Sequence, residues 1–272
     1  MSLADHIDHA EQIMYYGSDI AASGVLTAMH RLDALANNMA NIDTVGYKPV
    51  MAATMSRDPA RIEDNLGYLP SNELLEQLGA GVIMAPSRVS FSQGAIEQTG
   101  NDFDIAVEGD GFLVARTSSD GNTDGIALTR DGRMALDANG VLVQAASGRP
   151  ILDTQNRIIR LRTDQSVEID NWGMIRQDGN PVAQIRLVDV ADRMELTPVG
   201  DGLYRPSASA AANLMPGTGR IVHRAVEGSA VNEISALLQM QGASSGVRAS
   251  IGLMSYQDRL ADRAINTFGR IG

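Results

Sequence analysis

Apolar positions recur with a helical period at the two ends of this chain and in short strand-length runs between them. Val25, Met29, Leu32, Ala36 and Met39 alternate four- and three-residue steps, a heptad-like seam on one helix face. Val247, Ile251, Met254, Ala261, Ile265 and Phe268 keep the same steps near the other end, with Asp258 interrupting them. Ile234, Leu237, Leu238 and Met240 carry that pattern back to about Asn232, and Asp258, Arg259, Asp262 and Arg263 form its charged side. Two terminal helices with apolar seams, separated by nearly the whole chain, most simply pair with each other or with copies of themselves. Gly242, Gly246 and Gly252 each weaken the second helix by roughly 1 kcal/mol relative to alanine. Such helices are marginal in water without a partner on the seam, so both ends are expected to order on assembly.

From about residue 84 to 228 the pattern changes to β. Asp-Gly or Asn-Gly steps fall at Asp110-Gly111, Asp120-Gly121, Asp124-Gly125, Asp131-Gly132, Asn139-Gly140, Asp178-Gly179 and Asp201-Gly202. Several separate short apolar runs such as Phe112-Leu-Val-Ala115 and Val141-Leu-Val143, the strongest local hairpin signal, because these pairs accept the positive φ of tight turns. Residues 49–83 fit neither pattern. Met51-Ala-Ala-Thr-Met55 and Glu73-Leu-Leu-Glu-Gln-Leu78 suit short helices or strands, and Gly67 and Pro70 break the stretch, which reads as a mobile connector. The expected fold is therefore α+β. Residues 1–48 and 229–272 give the N- and C-terminal helices of a coiled-coil core domain, and 84–228 a mainly antiparallel β domain, barrel or sandwich.

One stretch stands out. The first seam runs into Asn37, Asn38 and Asn41, three poor helix formers within the last turns of a helix. Their amides line neighbouring strips of one surface, and each offers both donors and acceptors. Gly46 suits the left-handed conformation that ends a helix, and Tyr47-Lys48-Pro49 cannot continue it. On the residues alone, solvated amides at a helix end and an assembly interface explain the stretch equally well.

Ala36-Asn-Asn-Met-Ala-Asn-Ile-Asp-Thr-Val-Gly-Tyr-Lys48 closely resembles the N-terminal signature of bacterial flagellar axial proteins, the rod and hook group. The likeness continues in Ser92-Gln-Gly94, in Asp104-Ile-Ala-Val-Glu-Gly-Asp-Gly-Phe112, in Thr129-Arg-Asp-Gly132 and in Val226-Glu-Gly228. Ala230 stands where the family usually carries Asn, and Ser244-Ser-Gly-Val-Arg248 replaces an Arg-Ala-Tyr-Glu-like stretch. Residues 1–14 precede the family's usual start. The Leu78-Gly-Ala-Gly-Val82 lead is more similar to distal-rod than to proximal-rod subunits.

The resemblance implies a structural subunit of the flagellar basal-body rod, without catalysis or cofactor, polymerising through its terminal helices into a tube that carries torque from motor to hook. It implies Leu32, Leu35, Ala36, Asn37, Asn38, Met39, Asn41, Thr44, Gly46 and Tyr47 as assembly residues from the N-terminal side. Val247, Ile251, Met254, Ile265 and Phe268 would serve from the C-terminal side. The implied partners are copies of itself, other rod and hook subunits and the flagellar export apparatus. The implied location is the basal body across the periplasm, reached without a cleaved signal. Rival classes are a hook or other axial subunit, a secreted β-rich hydrolase, and a monomeric adhesin or binding module.

Composition bears mainly on what is excluded. Acidic residues outnumber basic ones 33 to 22, a formal charge of −11, which argues against nucleic acid and a polybasic membrane patch. No cysteine is present, so disulfides, thiolate catalysis and cysteine metal sites are absent. The acidic start Met1-Ser-Leu-Ala-Asp-His-Ile-Asp lacks a signal-peptide plan, and no apolar run reaches membrane-span length. Gly242-Ala-Ser244-Ser-Gly246 matches a nucleophile-elbow spacing but lies inside a helical stretch with no histidine after it. His6 and His9 share a helix face without further ligands, and the Asp-Gly steps lack EF-hand spacing, so no metal is expected.

Overall fold

A computed structural model describes the backbone of residues 3–58, 62, 81–117 and 125–268; the side chains of 3–19, 261, 264, 265, 267 and 268 lie outside the described set. Two compact units result. One comprises Met1–Met39, Val50–Arg88 and Glu233–Gly272, the other Ala40–Pro49 and Val89–Asn232.

The first unit holds the long helices α1 (Leu3–Ala40) and α3 (Glu233–Phe268), and a two-stranded sheet of β1 (Val50–Ser56) and β2 (Val82–Val89). Met51–Met55 is thus extended, while Glu73–Leu78 falls outside the described residues. The sheet lies along α1. Val82 N–H donates to Ser23 Oγ at 3.3 Å, and His30 Nε2 lies 3.1 Å from Ser87 Oγ. A Cβ added at Gly24 would come within 3.5 Å of Ser250 Oγ, so α1 and α3 approach closely there.

The helices do not bury the expected seam. The covered face of α1 carries Ala21, Thr27, Ala34, Leu35 and Asn38. Met29 is 50% exposed and Ala36 is exposed, while Val25, Leu32 and Met39 are half-buried. Apart from Leu35, small or polar residues occupy the inward side, and Leu26 and Met29 are left outside. An intrachain coiled coil built on that seam is therefore not what holds the unit together.

The second unit contains the remaining strands. At its centre a six-stranded sheet runs in the order β13 (Leu196–Gly200), β14 (Leu203–Pro206), β6 (Ile126–Thr129), β5 (Phe112–Arg116), β12 (Leu187–Asp189), β15 (Met215–Pro216). Every neighbour pair in it is antiparallel. Successive residues of a strand point to opposite faces. Leu113, Ala115, Ala127 and Leu203 enter one apolar cluster, and Phe112, Val114, Leu128 and Tyr204 enter another. Burial on both faces explains why Phe112-Leu-Val-Ala115 is continuously apolar rather than alternating.

Smaller antiparallel sheets surround it. β3 (Ile96–Gln98) pairs with β17 (Ala225–Glu227), and β4 (Ile105–Glu108) with β16 (Arg220–His223). β7 (Met134–Leu136) pairs with β8 (Leu142–Gln144). β9 (Val167–Ile169), β10 (Met174–Gln177) and β11 (Asn180–Gln184) form a three-stranded sheet, and a five-residue helix α2 (Ala208–Ala212) follows β14. Among the described residues the strands stay in separate sheets, so the barrel alternative is not realised.

The turn chemistry behaves as the dipeptides predict at Asp178-Gly179, where φ values of 48° and 81° join β10 to β11. Asp131-Gly132 is an exception. It closes no hairpin; a Cβ on Gly132 would lie 1.5 Å from the Ile105 carbonyl oxygen, so close backbone contact, not a turn, demands the glycine. Asp120-Gly121 and Asp124 fall outside the described residues.

Candidate assembly site

The signature asparagines divide between roles. Asn38 is buried, and its amide meets the backbone of Val50 twice: Nδ2 donates to the carbonyl at 2.8 Å, and Oδ1 accepts from the N–H at 2.8 Å. One side chain thereby supplies both hydrogen bonds that a neighbouring strand would give the first residue of β1. Asn41 Oδ1 accepts from Thr44 Oγ1 at 3.2 Å, and Thr44 N–H donates to the Asn41 carbonyl, stabilising the turn after α1. Asn37 is on the exposed side.

α1 ends at Ala40, earlier than expected, so Gly46 does not cap it. Gly46 nevertheless has φ +67°, and an added Cβ would lie 2.5 Å from both Arg130 C and Asp131 N. The left-handed backbone and the close approach coincide at a residue that docks the chain onto the β unit. Its N–H donates to the Glu227 carbonyl at 2.6 Å, and the Tyr47 carbonyl accepts from Ala230 N–H at 3.0 Å.

Beside this crossing lies a cluster that the expected interface did not include. Lys48 Nζ donates to Glu227 Oε1 at 2.6 Å and to the Ser92 carbonyl at 2.7 Å. Arg130 Nη1 donates to Glu227 Oε2 at 3.2 Å, and its Nη2 to the Gly109 carbonyl at 2.7 Å. Gly94 N–H donates to Oε1 at 2.8 Å. All three charged side chains are buried. Burial pushes the Lys48 ammonium down from its usual value, and Glu227 opposes that by hydrogen bond and charge. Burial also lowers Arg130, again opposed by Glu227.

An aromatic group adjoins the cluster. Phe91, Phe112 and Tyr204 meet edge to face with centroids 5.1 to 6.4 Å apart, and the Arg130 guanidinium lies 5.2 Å from the Phe112 centroid. Burial raises the Tyr204 phenol far above its usual value; Tyr47 adds to this, and a hydrogen bond from the Lys48 backbone opposes it.

The outward faces of the helices have a different character. On α3, Ala236 is buried and Val247 and Met254 are half-buried. Ile234, Leu237, Leu238, Ile251, Leu253, Tyr256 and Leu260 are exposed, Leu237 at 59% and Leu238 at 62%. Leu26 and Met29 are the corresponding open positions on α1. Of the expected interface residues, Leu35, Asn38 and Gly46 face inward, Ala36, Asn37 and Ile251 face outward, and Leu32, Met39, Asn41, Thr44, Tyr47, Val247 and Met254 lie between. The side chains of Ile265 and Phe268, like those of His6 and His9, are outside the described set. Ser244 sits in mid-helix on α3, which rules out the strand–turn–helix geometry of a nucleophile elbow. Among the described residues no helix is long and apolar enough to cross a membrane.

The family model for flagella basal body rod proteins matches residues 19–48. Flagellar basal-body rod protein FlgF of Caulobacter vibrioides is 30% identical over 259 residues, 93% of this chain and 97% of the relative. Flagellar basal-body rod protein FlgG of Bacillus subtilis is 29% identical over 90% of this chain and 96% of its own length. Flagellar hook-basal body complex protein FlhO of the same species is 27% identical over 95% and 100%. Similarity along nearly the whole length of such relatives defines a structural protein of the bacterial flagellum. The chain belongs to the flagellar basal-body rod protein family, and its place is the basal body.

Proposed function

We propose that this subunit polymerises through the outward faces of α1 and α3 into a helical tube that carries torque from motor to hook. Heterologous contacts between identical surfaces that do not close into a ring generate such a filament. The segment 40–49 goes with the β unit, and residues 50–88 go with the helices. Neighbours are copies of this chain and other rod and hook subunits. The chain reaches the periplasm through the flagellar export apparatus and performs no catalysis. The Leu78-Gly-Ala-Gly-Val82 lead favours a distal rod position.

The observation that carries this reading is the row of large apolar side chains left open on both helices, above all Leu237 and Leu238. Exposed apolar surface of this extent on a soluble subunit marks a contact. Leu32, Ala36, Met39, Val247, Ile251 and Met254 flank the same open surfaces, and Ile265 and Phe268 continue the pattern in sequence. Asn37 and Asn41 supply polar contacts that reject misaligned packings. The test is a double substitution, Leu237→Glu with Leu238→Glu, in cells lacking the native copy. Basal bodies seen by electron microscopy should lack a complete rod, while urea unfolding of the purified β unit's signal stays unchanged. Complete rods would defeat the proposal.

A further inference from the structure

Four stretches that are remote in sequence meet at one carboxylate. Lys48 closes the N-terminal signature, Gly94 ends the Ser-Gln-Gly block, Arg130 opens Arg-Asp-Gly, and Glu227 itself stands just before α3. We infer that Glu227 is a positioning residue for assembly: gripped by Lys48 and Arg130, it splices the segment that follows α1 to the segment that precedes α3 within the β unit. This rests on the assembly reading above and adds to it the residues that hold the two connecting segments together.

The backbone crossing by itself is slight. It consists of the Gly46 N–H to Glu227 carbonyl bond and the Ala230 N–H to Tyr47 carbonyl bond. Each such bond contributes about 1 kcal/mol net, too little to hold two chain segments in fixed alignment. The carboxylate changes this. It is wholly buried, and its oxygens accept from Lys48, Arg130 and Gly94. A buried carboxylate is tolerable only when paired, and losing it would leave two buried cations without a counter-charge. The cluster therefore closes as a whole or opens as a whole. An apolar group of similar volume would tolerate sliding of one segment past the other. Directional bonds from an ammonium, a guanidinium and a backbone N–H admit one alignment. Gly46 and Gly94 complete the fit, since a Cβ on Gly94 would lie 2.1 Å from the Gly228 carbonyl oxygen.

Hydrogen exchange on the full chain separates a splice from ordinary core stability. In Lys48→Met, which keeps an apolar stem, the Gly46 and Ala230 amides should exchange at least about tenfold faster, while Val114 and Leu128 in the central sheet stay within about twofold of the native rate. The same variant should fail to enter rods in cells lacking the native copy. Glu227→Gln strands both cations and should loosen the whole unit, so Lys48→Met, which leaves Glu227 paired with Arg130, is the deciding variant. Equal acceleration at all four amides, no change at Gly46 and Ala230, or normal rods built from a selectively loosened subunit would each overturn the inference. Exchange reads the splice without any polymer, so a failure of the helical-assembly reading, seen as intact rods from the Leu237/Leu238 variant, is recognised separately.

Discussion

Lys48 and Glu227 are 179 positions apart in the chain, yet their charged atoms meet at 2.6 Å with 1% and 0% of the side chains exposed. The pair joins the segment that follows α1 to the segment that precedes α3. Around it converge the blocks of sequence that carry the family likeness. Those blocks are therefore not independent surface motifs; several are walls of one buried cluster.

Removing the acid should be costly. Glu227→Gln leaves Lys48 and Arg130 buried without their counter-charge, and breaking a buried pair in this way costs roughly 3–5 kcal/mol. Urea denaturation of the purified chain measures it. A loss below about 1 kcal/mol, the level of an exposed pair, would mean that the cluster opens to water in solution.

Gly46→Ala should be disproportionately harmful for a single methyl group. The residue has φ +67°, and the new Cβ would lie 2.5 Å from backbone atoms of Arg130 and Asp131. Strain and displacement together should cost at least about 2 kcal/mol. Gly242→Ala is the control, because nothing lies within 4 Å of its Cβ position, and it should raise helix stability by roughly 1 kcal/mol. Thermal melts followed by circular dichroism compare the two, and equal effects would contradict the docking geometry.

The asparagines should separate by assay. Asn38→Ala deprives Val50 of both partners supplied by that side chain and should cost about 1–3 kcal/mol in chain stability. Asn41→Leu should instead impair rod assembly or swimming while the β unit melts normally. The reverse outcome, a stability loss from Asn41→Leu with normal motility, would remove Asn41 from the contact surface.

Acid sensitivity should trace partly to Asp110. Hydrogen bonding and charge from Arg193, 2.6 Å away, hold its carboxyl below the usual 3.8. A lowered folded value means that the contribution is fully present above 3.8 and is lost as pH falls through the lower, folded value. Between neutral pH and pH 5 the native chain and Asp110→Asn should therefore show parallel melting curves. Below 3.8 the native chain should lose melting temperature more steeply than the variant. Parallel curves over the whole range would show that the pair does not persist.

The sequence made some of this legible and hid the rest for identifiable reasons. Asp178-Gly179 and Asn139-Gly140 announced their hairpins because turn geometry is decided by the residues in the turn. Asp131-Gly132 carries the same dipeptide and forms no hairpin, because its glycine answers to Ile105, which is distant in sequence. The apolar seam Val25, Met29, Leu32, Ala36, Met39 was correctly seen as one helix face. Which face turns inward was not visible, since Ala21, Thr27 and Ala34 look featureless until something packs on them. Nothing in the sequence marks Lys48, Arg130 and Glu227 as buried. The available signal was their position near glycines in three of the matching blocks: Gly46, Gly132 and Gly228.

What the chain determined by itself was local: helical period at both ends, strand-length runs and tight turns between them, and the signature that marks its family. These follow from forces acting over a few residues, such as backbone conformation, side-chain spacing and neighbouring hydrogen bonds. Tertiary structure alone decided that Leu237 and Leu238 stay in water, that Asn38 serves Val50, and that three charges surrender their hydration to one another. Burial depends on what the whole chain brings to a place, and no window of neighbouring residues contains that information.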